Sequence, residues 1–179
     1  MAMQKITNLE VQQWLADLQA LATNKTCKSP EFLRPFHFVT LALVLKAQQA
    51  LQLSLPDHLV NYATRMKLWE AVGIRPIRNK LNELDAVGRF LPIERLSSRD
   101  AVNEVAARLA NLTLKAKMDD LSHRALDIAI SELVDNCFAH SGASDGLYGV
   151  ACAQYWPRGD LMQIAIADIT RKLVNKTVG

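Results

Sequence analysis

Two apolar runs near the end of the chain, Leu147–Tyr155 and Leu161–Ala167, are separated by Trp156-Pro157-Arg158-Gly159-Asp160. Pro, Gly and Asp between two apolar runs are strong turn chemistry, so this stretch forms a β-hairpin. The rest of the chain has to be arranged around a sheet, and most of it carries helical periodicity. Leu9, Val11, Trp14, Leu15, Leu18 and Leu21 recur at spacings of three and four, an amphipathic helix with Asn8 as its N-cap. Pro35 opens a second, strongly apolar run, Phe36–Leu45, whose length to Gln49 indicates a largely buried helix with proline in its first turn.

Further along, Leu51–Leu55 alternates Leu-Gln-Leu-Ser-Leu before Pro56 and reads as a short strand. Asp57 is placed to cap a helix that carries Leu59, Val60, Tyr62, Ala63, Met66, Leu68 and Trp69, and Gly73 stops it. Residues 74–90, with Pro76 and the basic cluster Arg75, Arg78 and Lys80, read as a loop. Phe90–Leu96 is a second strand, which Pro92 confines to a sheet edge. Ser97 or Ser98 precedes a helix over Arg99–Leu114, and a further helix begins near Asp119 and runs to about His140. The alternation in the first half and the helix pair plus hairpin in the second predict an α/β unit, residues 1–96, followed by an α+β unit, residues 97–179.

Composition narrows the function classes. The chain has 179 residues, half of them apolar, and no apolar run of the ~18 residues that a membrane helix needs. The net charge of +3 divides as +4 over residues 1–90 and −1 over residues 91–179, too little in either half to argue for nucleic-acid binding. The three cysteines, Cys27, Cys137 and Cys152, are odd in number and lack a CxxC spacing, so free thiols in the cytoplasm are expected.

One stretch carries a chemical pattern. Within Ala125–His140, the residues Leu126, Ile130, Leu133, Val134 and Cys137 are expected on the core face. Glu132, Asn136 and His140 stand at i, i+4 and i+8, and four residues advance about 400° around a helix, so they form one row. An amide oxygen suits Mg²⁺ and a neighbouring carboxylate can orient a water, so the row suits a divalent ion bridged to phosphate. The competing reading is the polar face of a surface helix.

Glu132-Leu133-Val134-Asp135-Asn136 followed by His140 resembles the N-box helix of the histidine-kinase-like ATPase family, which includes sensor kinases and the serine kinases that act as anti-sigma factors. The strand ending Ile166-Ala167-Asp168 resembles the one that leads into that family's adenine-binding DxGxG motif. The resemblance covers about residues 115–170. It implies ATP and Mg²⁺ as cofactors, Asn136 as the metal ligand, Glu132 as the residue that positions or activates the nucleophile, and Asp168 as the adenine-binding carboxylate, with His140 beside them. Where the motif's glycines should stand, this chain has Thr170 and Lys172, and a Cβ there closes the backbone conformations that bring glycine up to a nucleotide. No GxGxxG or GxxxxGK[ST] spacing occurs elsewhere. The expectation is a remnant or truncated ATP-binding domain that touches at most half a nucleotide, in a protein that regulates signalling or transcription through a protein partner. The alternative is the front portion of an ATP-dependent serine or histidine kinase.

Phe32-Leu33-Arg34-Pro35-Phe36-His37-Phe38 and the elements after it are similar in pattern to STAS-like domains, small α/β binding modules that precede such ATPase domains in some bacterial regulators. An ATPase sheet without its last strands implies an open edge, and hence self-association.

The remaining candidates have plainer readings. His37 lies in an apolar run and reads as a hydrogen-bonded core residue, His58 as solvated, and His123 as a helix-start residue beside Asp119 and Asp120 rather than a metal ligand. Cys137 reads as a small buried hydrophobe, and Trp14, Trp69 and Trp156 as packing anchors.

Overall fold

The computed structural model describes residues 6–24, 30–48, 55–73, 89–140 and 147–168. The strand expected at Leu51–Leu55, all but its last residue, and the basic loop at 74–88 lie outside the described residues, as do Cys27, Thr170 and Lys172. Among the described residues the protein is a mixed α/β fold of six helices and one three-stranded antiparallel sheet.

The sheet has the order β1 (Phe90–Leu96), β2 (Gly149–Trp156), β3 (Leu161–Asp168), and β2 lies in the middle. The expected hairpin is β2–β3, paired without interruption from Gly149↔Asp168 to Trp156↔Leu161. Its turn is a short 3-10 segment, Pro157–Gly159, followed by Asp160 in the left-handed region at φ 43°. Asp160 offsets the strain of that conformation by accepting the Tyr155 hydroxyl at 2.9 Å.

Strand β2 is built from small apolar residues because both of its faces are covered. Val150 and Cys152 face one helical layer, and Ala151, Ala153 and Tyr155 face the other. The first layer is α1 (Asn8–Asn24), α2 (Pro35–Gln48), α3 (Asp57–Arg65) and α4 (Leu68–Val72). The second is α5 (Arg99–Thr113) and α6 (Asp120–His140). Side chains alternate across a strand, so the other strands divide in the same way. Ile93, Ala165 and Ala167 join the α1–α4 core, whereas Leu91, Met162, Ile164 and Ile166 join the α5–α6 core. The residues before 97 therefore contribute four helices to one face of a sheet whose other two strands come from after residue 147.

Helix α2 is the centre of the first layer. Phe38, Leu41, Ala42 and Leu45 are buried, and α2 touches α1, α4, β2 and β3, which explains its apolar character around the whole circumference. Trp14 of α1 is buried and donates its indole N–H to Thr40 Oγ1 at 2.8 Å, and Trp69 donates to Thr64 Oγ1 at 2.9 Å, so both serve as packing anchors.

Several local details correct the sequence reading. At the start of α1 it is the Thr7 hydroxyl, not Asn8, that accepts a free amide, from Glu10 at 3.1 Å. Pro56, not Asp57, occupies the cap position of α3, and the Asp57 carboxylate falls in the first turn, where the helix dipole favours it. The helix expected from Asp57 to Gly73 breaks at Met66–Lys67, with Lys67 at φ 57°, before Gly73 closes α4 at φ 79°. The break releases the Met66 carbonyl, which accepts the Ile93 N–H of β1 at 2.9 Å. Pro92, which has no N–H to offer β2, sits in the register shift between Leu91 and Glu94. The proline thus marks the edge strand, as expected, and the bulge turns Ile93 outward onto the α3–α4 junction.

Ser98 is the N-cap of α5 and accepts the Ala101 N–H at 3.1 Å. Asp119 does the same work for α6, accepting both the amide and the hydroxyl of Ser122, at 2.9 and 2.7 Å. These bonds hold the Asp119 carboxyl below its ordinary range. Among the described residues no helix is long and apolar enough to cross a membrane.

Candidate functional site

The pattern picked out in the sequence lies on the C-terminal half of α6, and the site has to be built from how that helix sits. Ile130, Val134 and Cys137 are buried against the sheet, with Leu126 and Phe138 beside them. Leu133, expected with this group, is 53% exposed. The buried stripe centres between Cys137 and Val134, and Leu133 falls on its solvent side. Glu132 and Asn136 are both exposed, as a row opposite the core must be. His140 is the last residue of α6, and its side chain lies outside the described atoms.

Asp168 ends β3, paired with Gly149, and is exposed. What brings it to α6 is a close contact with Gly149. A Cβ added at this glycine would meet the Ala167 carbonyl oxygen at 2.5 Å and the Cβ and Sγ of Cys137 at 3.2 Å. Without a side chain at 149, α6 settles directly on the β2–β3 pair, with Cys137 against it. The Cys137 thiol donates to the Leu133 carbonyl at 3.4 Å. Burial, and secondarily the negative charge of Asp168, push its pKa up to about 11. Cys137 is therefore a protonated packing residue, as expected, and it sits against Gly149, the strand partner of Asp168. Sequence reasoning missed Gly149; a lone glycine inside an apolar strand was the signal that could have found it.

Gly149→Ala is expected to lower stability by about 1–3 kcal/mol, because the carbonyl it would strike is backbone and cannot swing aside. Urea unfolding of the two proteins measures the difference.

Helix α5 fixes the rotation of α6. Arg99 reaches Asp135 at 3.1 Å and lies over the Phe138 ring at 5.4 Å, while Thr113 donates to Asp127 at 3.4 Å. The Arg99–Asp135 pair is about half exposed, so it orients more than it stabilises. It draws Asp135 toward α5 and leaves Glu132 and Asn136 on the flank away from it.

Two grooves flank α6. One, of about 280 Å³, lies between α5 and α6 and is lined by Val102, Asn103, Ala106, Ala107, Ala110, Ser131 and Asp135. The other, of about 390 Å³, runs along the start of β3 and is lined mainly by Met118, Leu126, Leu161, Met162 and Ile164. Neither is lined by Glu132, Asn136 or Asp168. An exposed amide and an exposed carboxylate offer Mg²⁺ two hard oxygens, but the described residues around them supply no phosphate cradle. The described residues therefore do not fit a bound Mg-ATP. Among them no cluster of three or more His, Cys, Asp or Glu residues could hold a metal ion.

The other histidines fall where the plainer readings put them. His58 is exposed and His123 half-buried at the start of α6. His37 is 2% exposed, and its Nδ1 accepts the Arg34 amide N–H at 2.8 Å.

Compared with known proteins, the chain matches no family model, no curated protein and no solved structure.

Proposed function

We propose that this chain is a bacterial, cytoplasmic regulatory protein that acts through protein contacts. Its second half is laid out like the front of a histidine-kinase-like ATPase domain, with a nucleotide site too incomplete for catalysis. Its first half is the STAS-like partner of that domain. The observation that carries this reading is the outward face of α6. Leu121 is 79% exposed and Ile128 65%; seven residues apart, they stand in line on the side of the helix that carries Glu132. Single exposed apolar residues are ordinary, but two in line on one helix face suit that face to another protein. The order strand, helix, helix, strand, strand ending in aspartate is consistent with the family layout.

A second reading is the front of an ATP-dependent serine or histidine kinase. It is favoured by one observation, the packing of Cys137, the residue next to Asn136, on Gly149, the strand partner of Asp168. Titration with Mg-ATP by calorimetry separates the two. The regulatory reading expects no binding up to about 1 mM; a Kd below ~100 μM that Asn136→Ala abolishes would establish the kinase reading instead.

A further inference from the structure

The outward face of α6 is complementary to itself. Residues four apart on a helix form a row, and the row that faces solvent here is Arg124, Ile128 and Glu132. All three are exposed, Ile128 by 65%, so an apolar residue stands midway between a cation and a carboxylate. Among the described residues neither Arg124 nor Glu132 has an ion pair or a hydrogen bond through its side chain. The charges on the α5 side of the row are already engaged: Asp127 accepts Thr113, and Asp135 is held by Arg99. Ala125 and Ser131, which flank Ile128 on its two sides, are small and exposed.

We propose that the partner of this face is a second copy of the chain, α6 against α6, antiparallel, about a two-fold axis at Ile128. The inference deepens the regulatory reading and rests on it, in taking the outward face of α6 as the contact surface. At a crossing of about 50° the i, i+4 rows of two packed helices run parallel. A two-fold axis across the row lays it on its own reverse. Ile128 then meets Ile128 of the other copy at the centre, and Arg124 lies across from Glu132 at both ends. Ala125 and Ser131 each face their own equivalents, and their short side chains let the backbones approach. Leu121, on the row of Ala125, reaches over the exposed Ala129 of the other copy.

Charge selects this centre. An axis at Arg124 or at Glu132 would set like charges against each other, and one midway between Arg124 and Ile128 would set Asp120 against Glu132. With the axis at Ile128, the cation of each copy meets the carboxylate of the other, and Asp120, one turn further out, falls across from the uncharged Asn136. One crossing of two helices stays below the roughly 1,200 Å² of a standard interface, so a weak dimer is expected, with a Kd of about 10–100 μM.

Sedimentation equilibrium of the full chain tests this. The weight-average mass should rise from 19.9 kDa toward twice that value between about 1 and 500 μM. Arg124→Glu and Glu132→Arg should each raise the dimer Kd about tenfold, and the double exchange should restore it to within about threefold. Ile128→Asp should leave a monomer throughout the range. All three positions are exposed, and circular dichroism melts of each variant separate loss of pairing from loss of fold. An unsubstituted chain that stays monomeric at the highest concentration overturns the proposal. So does a dimer that Ile128→Asp leaves intact or that the double exchange does not restore. Such a failure leaves the regulatory reading standing, because that reading falls on the Mg-ATP titration instead.

Discussion

Phe38→Ala is expected to lower the thermal midpoint by roughly 10 °C. Phe38 is fully buried on α2 and meets the Tyr62 ring edge-on at 5.2 Å between centroids. Removing a ring of this kind costs about 3–5 kcal/mol, and a domain of this size loses about 2–4 °C per kcal/mol. The loss should appear in a single transition. Phe38 shares its core with Val150 and Cys152 of β2, and the reverse face of the same strand packs Ala151 and Ala153 beside Leu109 of α5. Leu109→Ala, by about 2–5 kcal/mol, should move the same transition. Calorimetry checks both, and two separable transitions would show that the helical layers unfold independently.

Acid is expected to destabilise the protein through His37. Burial, and secondarily the Arg34 cation, lower its pKa from 6.5 to about 3. The geometry agrees: Nδ1 is the acceptor of the Arg34 amide N–H, so a proton there breaks that bond and sets a second charge beside a guanidinium already held by Glu10 at 2.7 Å. Between these two values the unfolded chain binds a proton that the folded one refuses. Stability is therefore complete above pH 6.5 and declines as pH falls toward 3, by at most about 5 kcal/mol over the whole window. Urea unfolding at pH 7 and pH 4.5 measures the decline. His37→Gln, whose side-chain carbonyl can accept the same N–H and does not titrate, should lose most of the pH dependence; an unchanged slope would assign it to other groups.

Helical periodicity, Pro35, Ser98, Gly73 and the turn at Pro157–Asp160 were legible because each acts on its own neighbours in the chain. The α2 helix, the α5 N-cap, the end of α4 and the β2–β3 hairpin follow from them. The break at Met66–Lys67 was not legible, since its cause is a strand residue, Ile93, that takes the released carbonyl. Nor was the exposure of Leu133: an apolar residue at the margin of a stripe is assigned to core or solvent only by how the helix is turned, and here Arg99 and Phe138 set that turn.

The same division holds for the candidate site. Glu132, Asn136 and His140 form one row on α6 by helical spacing alone, and Asp168 ends a strand by the hairpin's own arithmetic. Whether the row and the strand end meet is a matter of distance between elements. That distance is set by Gly149, which lets α6 settle on β2, and by Cys137, which fills the contact next to Asp168. Residues near one another in sequence determine local shape through backbone sterics and hydrogen bonds. Which helices cover which face of the sheet depends on close packing between segments more than a hundred residues apart, such as the Cys152 thiol on the Pro35 carbonyl, and only the tertiary structure decides that.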